Sequence, residues 1–260
     1  MGNGAGERVV SRELFDAVLF DLDGVLTATA RLHAACWKKM FDEYLAERSG
    51  GPGAPFEAFE IATDYKRYVD GKLRYDGVQS FLQSRDIALP WGDPDDPPNR
   101  ETVCGLGNRK NELIGELLDT DGVDTYESSI TWLRQLRQAG FATAVVSASK
   151  NCERVLHAAG IADLFDTRVD GVVAAATGLA GKPAPDTFLE GARRLGVDVE
   201  RAVVVEDAVS GVQAGKAGGF GLVIGVDRAG DPDALRDGGA DLVVADLGEL
   251  IEQENHDDPP

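Results

Sequence analysis

Short apolar runs that each stop at a chemistry-bearing polar residue constrain this chain more than any other feature. Ala17-Val18-Leu19-Phe20 runs into Asp21-Leu22-Asp23-Gly24, and Phe141–Val146 into Ser147-Ala148-Ser149-Lys150-Asn151. Ala202–Val205 runs into Glu206-Asp207. Apolar runs of this length, bounded by turn residues, read as buried strands. Helical patterns lie between the later runs. Ile130, Leu133 and Leu136 recur at helical spacing before Gly140, and Asn151–Ala159 closes at Gly160. Pro185-Asp186 opens a helix that reaches Leu195-Gly196, and Val209–Ala217 separates Ala202–Val205 from a further strand at Gly221–Val226. With Asp241–Val244 as a last strand, the alternation predicts an α/β fold: a Rossmann-like, doubly wound parallel sheet with helices on both faces. Residues just beyond the strand ends of such a sheet share one edge, where ligands bind.

Residues 30–120 read differently. They carry helical patterns such as Leu32–Leu45 and Asn108–Leu118, with Gly/Pro-rich breaks at Ser49–Pro55 and Trp91–Pro98 and no convincing buried strand. This predicts a mostly helical cap at 30–120, inserted into a discontinuous α/β core at 13–29 and 121–250. The ends, 1–12 and 251–260, are expected to be flexible, and 1–12 lacks the apolar core of a signal peptide. A net charge of −19, spread along the 260 residues, argues against a nucleic-acid or anionic-membrane partner. A local basic pocket would still admit a small phosphorylated molecule. Cys36, Cys104 and Cys152 are odd in number and lack metal-ligand spacing, which points to a reducing cytoplasm. No apolar run approaches the roughly 18 residues of a membrane span. The expectation is a cytoplasmic monomer.

Two carboxylates at one strand tip are costly to bury unless a cation sits between them, so Asp21 and Asp23 imply a divalent ion. Hydroxyls at Thr27 and Thr29 and a turn at Gly24 suit a phosphoryl group. Taken singly, each motif has a plainer reading. Asp-x-Asp could be a turn or cap, Ser147-Ala-Ser149 and Glu206-Asp207 could cap the following helices, and Lys182 in Gly181-Lys182-Pro183 could be a solvated loop lysine. Their joint occurrence beyond successive strands reads as one phosphoryl-transfer site. Phosphate-monoester hydrolysis is slow enough that enzymes supply up to ~10²¹-fold acceleration, and a carboxylate nucleophile splits the step in two. Asp21 suits the nucleophile and Asp23 the acid/base, a role worth roughly 10²–10⁴-fold. Mg²⁺ would be held by Asp21 and Asp207 with Glu206 beside them, while Lys182 and Ser147 would hold the equatorial oxygens.

In order and spacing these motifs resemble the haloacid-dehalogenase superfamily, and within it the β-phosphoglucomutase-like subfamily, over about residues 14 to 248. The narrower resemblance rests on Asp21-Leu-Asp-Gly-Val-Leu-Thr-Ala-Thr29 with His33 and Trp37, then Gly71-Lys-Leu-Arg74 and Arg109-Lys110-Asn111. Ser147-Ala-Ser-Lys-Asn151, Lys182-Pro-Ala-Pro-Asp186 and Glu206-Asp207 complete it. The resemblance implies Asp21 as nucleophile, Asp23 as acid/base, and Mg²⁺ among Asp21, the Asp23 carbonyl, Glu206 and Asp207. It implies Ser147 and Lys182 on the transferring phosphoryl, and Arg74 with Ser149, Lys150 and Asn151 on a second phosphate. Lys110 would meet the sugar, His33 would help hold the acid/base, and Trp37 and Thr29 would complete the cap side. The implied activity is a Mg²⁺-dependent interconversion of β-glucose 1-phosphate and glucose 6-phosphate through an aspartyl-phosphate and a sugar bisphosphate. Ala28 stands where the mutases often carry an acid, and Ala208 where a serine is frequent, which leaves room for a sugar-phosphate phosphatase. A phospho-receiver module also uses strand-end acids, a hydroxyl and a lysine, but the large insertion and a nucleophile on the first strand argue against it.

Overall fold

A computed structural model describes residues 9–251, apart from 52 and 54. In chain order its elements are β1 (Ala17–Phe20), α1 (Ala30–Arg48), a π-helical segment (Ile61–Val69), α2 (Arg74–Ser84), α3 (Val103–Asp121), α4 (Glu127–Gln138) and β2 (Ala142–Val146). There follow α5 (Cys152–Ala158), β3 (Thr167–Val169), α6 (Gly171–Thr177), α7 (Asp186–Leu195), β4 (Ala202–Glu206), α8 (Val209–Ala217), β5 (Leu222–Val226), α9 (Pro232–Gly238) and β6 (Leu242–Val244). The strands form one parallel sheet in the order β3-β2-β1-β4-β5-β6.

Alternation along the strands explains why they are apolar throughout. Val18 and Phe20 join Val145, Val203, Val205 and Ile224 on one face, which α4 and α5 cover with Ile130, Leu133, Leu136, Val155 and Leu156. Ala17 and Leu19 join Ala144, Val146, Val204 and Val223 on the other, under Phe188 and Ala192 of α7, Val212 of α8 and Leu235 of α9. A strand buried on both faces has no position for a polar residue until it ends. Phe20 is level with Val145 and Val205. The chain turns polar within a residue or two of that level on all three central strands. Strand order reverses between β1 and β4, the place where open α/β sheets form a crevice.

A separate apolar cluster is built by α1, the π-helical segment, α2 and α3. Phe41, Phe59 and Phe81 are fully buried at its centre, with ring centroids 4.2 Å apart for Phe41 and Phe81 and 4.9 Å for Phe59 and Phe81. Trp37 stacks on Phe41 at 5.4 Å.

Sequence patterning does not anticipate five of these elements, the π-helical segment Ile61–Val69 among them. The strand β3 is short and partly exposed, so Thr167 and Arg168 hide its character. Of the helices, α2 shows apolar spacing only at Val78, Phe81 and Leu82. Only their caps announce α6 and α9: the Asp170 carboxylate accepts from Val172 N and Val173 N, and Asp231 precedes Pro232 and accepts from Ala234 N. Helix α3 starts well before Asn108 because the Thr102 hydroxyl accepts from Gly105 N. Of the ends expected to be flexible, 1–8 and 252–260 lie outside the described residues. Arg12 donates to the Asp16 carbonyl at 2.9 Å and stacks on Phe141.

Phe81→Ala is expected to lower stability by about 3–5 kcal/mol, because it opens a cavity among three rings that cannot collapse together. Chemical denaturation of the two proteins measures this, and a loss below about 1 kcal/mol would contradict the packing.

Candidate active site

The turn beyond β1 is shaped by what it must pass. Gly24 has φ of +90°, and a Cβ there would collide with the Asp207 carboxylate. Its N–H donates to the Thr27 carbonyl at 2.8 Å, closing a loop that turns Asp21 and Asp23 toward the cleft. Thr27 and Thr29 do not line that cleft, contrary to the expectation that their hydroxyls meet a phosphoryl group. They are buried behind the loop, 2.7 Å from each other, where Thr27 donates to the Leu22 carbonyl and Thr29 to the Asp23 carboxylate. Beyond β2, Ser147 Oγ accepts from Ser149 N, and Ser149 Oγ from Asn151 N, each at 3.1 Å. These bonds curl the Ser147–Asn151 loop along the cleft wall.

Lys182 lies behind the carboxylates. Its ammonium donates to Asp21 Oδ1 at 2.6 Å, to Glu206 Oε1, and to the Val146 carbonyl at 3.2 Å, over the Phe188 ring. Burial opposes its charge, but Asp21 and Glu206 together outweigh that and raise its pKa. Glu206 is fully buried, with its second oxygen accepting from Ala208 N at 3.0 Å. Ligand atoms of Asp21, Glu206 and Asp207 lie within 4.8 Å of one another. Burial, then the neighbouring acids, raises the Asp207 pKa well above the carboxylate range, and Asp21 is likewise raised by burial despite Lys182. Crowded hard oxygen donors with surplus negative charge fit a divalent cation.

Two further groups at this end escape sequence reasoning. Asp70 and Tyr65 line the cleft with Asp207. The Asp70 carboxyl is raised to about 7 by burial and by Glu206, and Tyr65 is raised by burial and by Asp70. Ser210 Oγ donates to the Asp70 carbonyl at 2.9 Å. The acid preceding the Gly71 turn is the only sequence signal for Asp70, and nothing marks Tyr65.

The far wall is cationic. Arg74, Lys110 and Lys150 line it with Ser149, Asn151 and Asn111, and Asn151 Nδ2 donates to Asn111 Oδ1 at 2.9 Å. Arg109, beside Lys110 in sequence, instead pairs with Glu43 and Glu47. Lys110 Nζ lies 2.7 Å from His33 Nδ1 and over the Trp37 ring, while His33 Nε2 faces Asp23 at 3.6 Å. Burial and then the Lys110 charge lower His33 to about 4; burial and then Arg74 lower Lys110 to about 7. His33 is therefore neutral near pH 7. With Nδ1 accepting from Lys110, its proton sits on Nε2, aimed at Asp23.

A parallel sheet that gathers acids, a hydroxyl and a lysine at the ends of β1, β2 and β4, under a helical cap, defines a phosphotransferase of the haloacid-dehalogenase type. The sequence model of the haloacid dehalogenase-like hydrolases matches residues 15–219, and the chain belongs to that family. It is 52% identical to a beta-phosphoglucomutase of Mycobacterium bovis over 238 residues, 90% of this chain and 91% of that one. A crystal structure of beta-phosphoglucomutase from Clostridium difficile superposes with a TM-score of 0.72 at 26% identity, covering 91% of this chain and 93% of that one. A trehalose-phosphate phosphatase of Mycobacterium leprae is 42% identical over 142 residues, 52% of this chain and 31% of that protein. No helix among the described residues is long and apolar enough to cross a membrane.

The buried Lys110 makes stability depend on pH. Its folded pKa is about 7, against about 10.4 unfolded. Between those values the unfolded chain binds more protons, so this group makes stability rise with pH there. Lys110→Met should be more stable than wild type at pH 7, with the gap shrinking toward pH 10 by up to about 1.4 kcal/mol per pH unit. Denaturation of the substrate-free proteins at pH 7 and 9 measures the gap; a pH-independent difference would refute it.

Proposed function

We propose that the protein is a Mg²⁺-dependent phosphomutase interconverting β-glucose 1-phosphate and glucose 6-phosphate through phospho-Asp21 and a sugar bisphosphate. The observation that carries this reading is the far wall. Arg74 and Lys150 face the cleft with no carboxylate partner at ion-pair distance among the described residues. A phosphatase needs one phosphate site, whereas a mutase must hold its bisphosphate by either end. Guanidinium and ammonium groups left unpaired in a cleft suit that second phosphate. Identity to proteins named beta-phosphoglucomutase supports the sugar.

In this reading an Asp21 oxygen attacks phosphorus as the bond from phosphorus to the sugar oxygen breaks. Asp23 gives that oxygen its proton, then takes one from the acceptor hydroxyl when the phosphoryl group returns. Ser147 and Lys182 hold the equatorial oxygens, Lys182 by exchanging its contact with the Val146 carbonyl for one of them. Thr29 and the neutral His33, backed by Lys110, orient Asp23, while Trp37 and Lys110 flank the sugar. Asp21, the Asp23 carbonyl, Glu206 and Asp207 would hold Mg²⁺, which when bound supplies positive charge between Asp21 and the phosphoryl group. Arg74, Ser149, Lys150 and Asn151 hold the non-reacting phosphate. A cap closed over the cleft keeps water from phospho-Asp21.

The second reading is a sugar-phosphate phosphatase in which water discharges phospho-Asp21. The partial similarity to trehalose-phosphate phosphatase favours it. Purified enzyme with Mg²⁺ should convert β-glucose 1-phosphate to glucose 6-phosphate, faster when primed with the β-1,6-bisphosphate, with little inorganic phosphate released. Arg74→Ala should slow this at least about tenfold more than it slows hydrolysis of acetyl phosphate, the order expected from losing a bidentate phosphate contact. Release of phosphate as fast as the sugar phosphate disappears would establish the phosphatase.

Asp21→Asn should fold and lose turnover with every phosphorylated substrate by roughly a thousandfold or more, as expected on removing a covalent nucleophile. Roughly a tenth of wild-type activity in the folded variant would exclude Asp21 as nucleophile.

A further inference from the structure

Arg74 and Lys150 carry like charges and line the same wall of the cleft. Burial and then the Arg74 charge lower the Lys150 pKa, which registers the repulsion. Among the described residues, no carboxylate at ion-pair distance separates or neutralises them. Both cations lie against the same aromatic ring. Lys150 Nζ is 4.9 Å from the centroid of Tyr75, and the Arg74 guanidinium carbon 5.8 Å from the same centroid. A ring face attracts cations through its quadrupole without contributing net charge. A carboxylate in that place would also hold the two cations, but it would cancel the field they offer an incoming anion.

The ring is fixed from several directions. The Tyr75 hydroxyl donates to Asn108 Oδ1 at 2.9 Å and lies 3.3 Å from the Pro94 carbonyl. Asn108 is itself anchored by its Nδ2 to the carbonyls of Pro94 and Asp96, and its Oδ1 receives Arg74 Nη1 at 3.4 Å. Trp91 packs against the ring edge to face. The residue facing the ring on α3 is Gly107, where a Cβ would press into the ring carbons. Packing therefore holds Tyr75 at both its hydroxyl end and its side.

We infer that Tyr75 is a positioning residue for the second phosphate, its ring holding Arg74 and Lys150 together as an unneutralised pair. This deepens the reading of the far wall as a second phosphate site and rests on it. Tyr75 touches neither phosphate. It acts through the two cations, and so affects binding of doubly phosphorylated sugar more than chemistry at Asp21. Discrimination between a bisphosphate and a small monophosphate thus depends on an uncharged residue.

The test uses the intact enzyme with Mg²⁺ and two probes: β-glucose 1,6-bisphosphate as activator of the mutase reaction, and acetyl phosphate as a reporter of the Asp21 end. Tyr75→Leu keeps apolar bulk but removes the ring face. It should raise the KM for bisphosphate about tenfold more than the KM for acetyl phosphate, the order expected of two partly desolvated cation–π contacts. Tyr75→Phe keeps the face and should stay within about twofold of wild type in that ratio. Equal rises in both KM values, or a loss in Tyr75→Phe as large as in Tyr75→Leu, would overturn the inference. Should Tyr75→Leu fail to fold, Gly107→Ala displaces the ring without removing it and must give the same selective rise; an unchanged ratio overturns the inference. Arg74→Ala distinguishes failure of the site from failure of the ring. If it leaves bisphosphate KM unchanged, the second phosphate site itself is wrong. If it raises that KM while Tyr75→Leu does not, only the role of Tyr75 is wrong.

Discussion

The ammonium of Lys182, held between Asp21 and Glu206, is the interaction on which the rest of the structure depends. Adjacent parallel strands β1 and β4 end in carboxylates that face one another in an almost dry environment. Two such groups without a counter-charge would each carry a desolvation cost of roughly several kcal/mol. Lys182 meets both at once, and its remaining donor capacity goes to the Val146 carbonyl at the end of β2. One side chain thus joins the ends of the three central strands. The glycines around it follow from the same crowding, since a Cβ at Gly24 or Gly211 would displace Asp207 or Glu206.

Charge in the cleft is divided by wall. The sheet edge, joined by Asp70, is acidic, while the far wall presents Arg74, Lys110 and Lys150. In a chain of net charge −19 the long-range field repels an anionic sugar phosphate, so capture depends on short-range contacts inside the cleft. The acidic end crowds the ligand atoms of Asp21, Glu206 and Asp207 within 4.8 Å of one another, whereas the basic end holds no carboxylate at ion-pair distance from Arg74 or Lys150 among the described residues.

Much of this is legible in the sequence for a physical reason. Strands buried on both faces leave no room for polar residues, so the residue that ends each run is conspicuous, and Asp21, Ser147 and Glu206 announce themselves. Strand β3, at the sheet edge with Thr167 and Arg168 partly exposed, has no such contrast. Arg74 and Lys110 enter through family resemblance rather than periodicity, because a cation on a helix looks the same whether it faces solvent or a cleft. Asp70 depends on how the cap loop meets Ser210 of α8, a contact between segments 140 positions apart that no local pattern encodes, and Tyr65 reaches the cleft beside it. Thr27 and Thr29 read as ligands in sequence because hydroxyls near paired strand-end carboxylates suit a phosphate, but tertiary packing turns both inward.

Thr29 also has a mechanical position. It is the residue from which α1 departs, and its hydroxyl is bonded to the carboxylate of Asp23. Helix α1 carries His33, Trp37 and part of the aromatic centre of the cap. One residue is thus both the N-terminal boundary of α1 and a hydrogen-bond partner of Asp23, so any displacement of α1 would be felt directly at the Asp23 carboxylate.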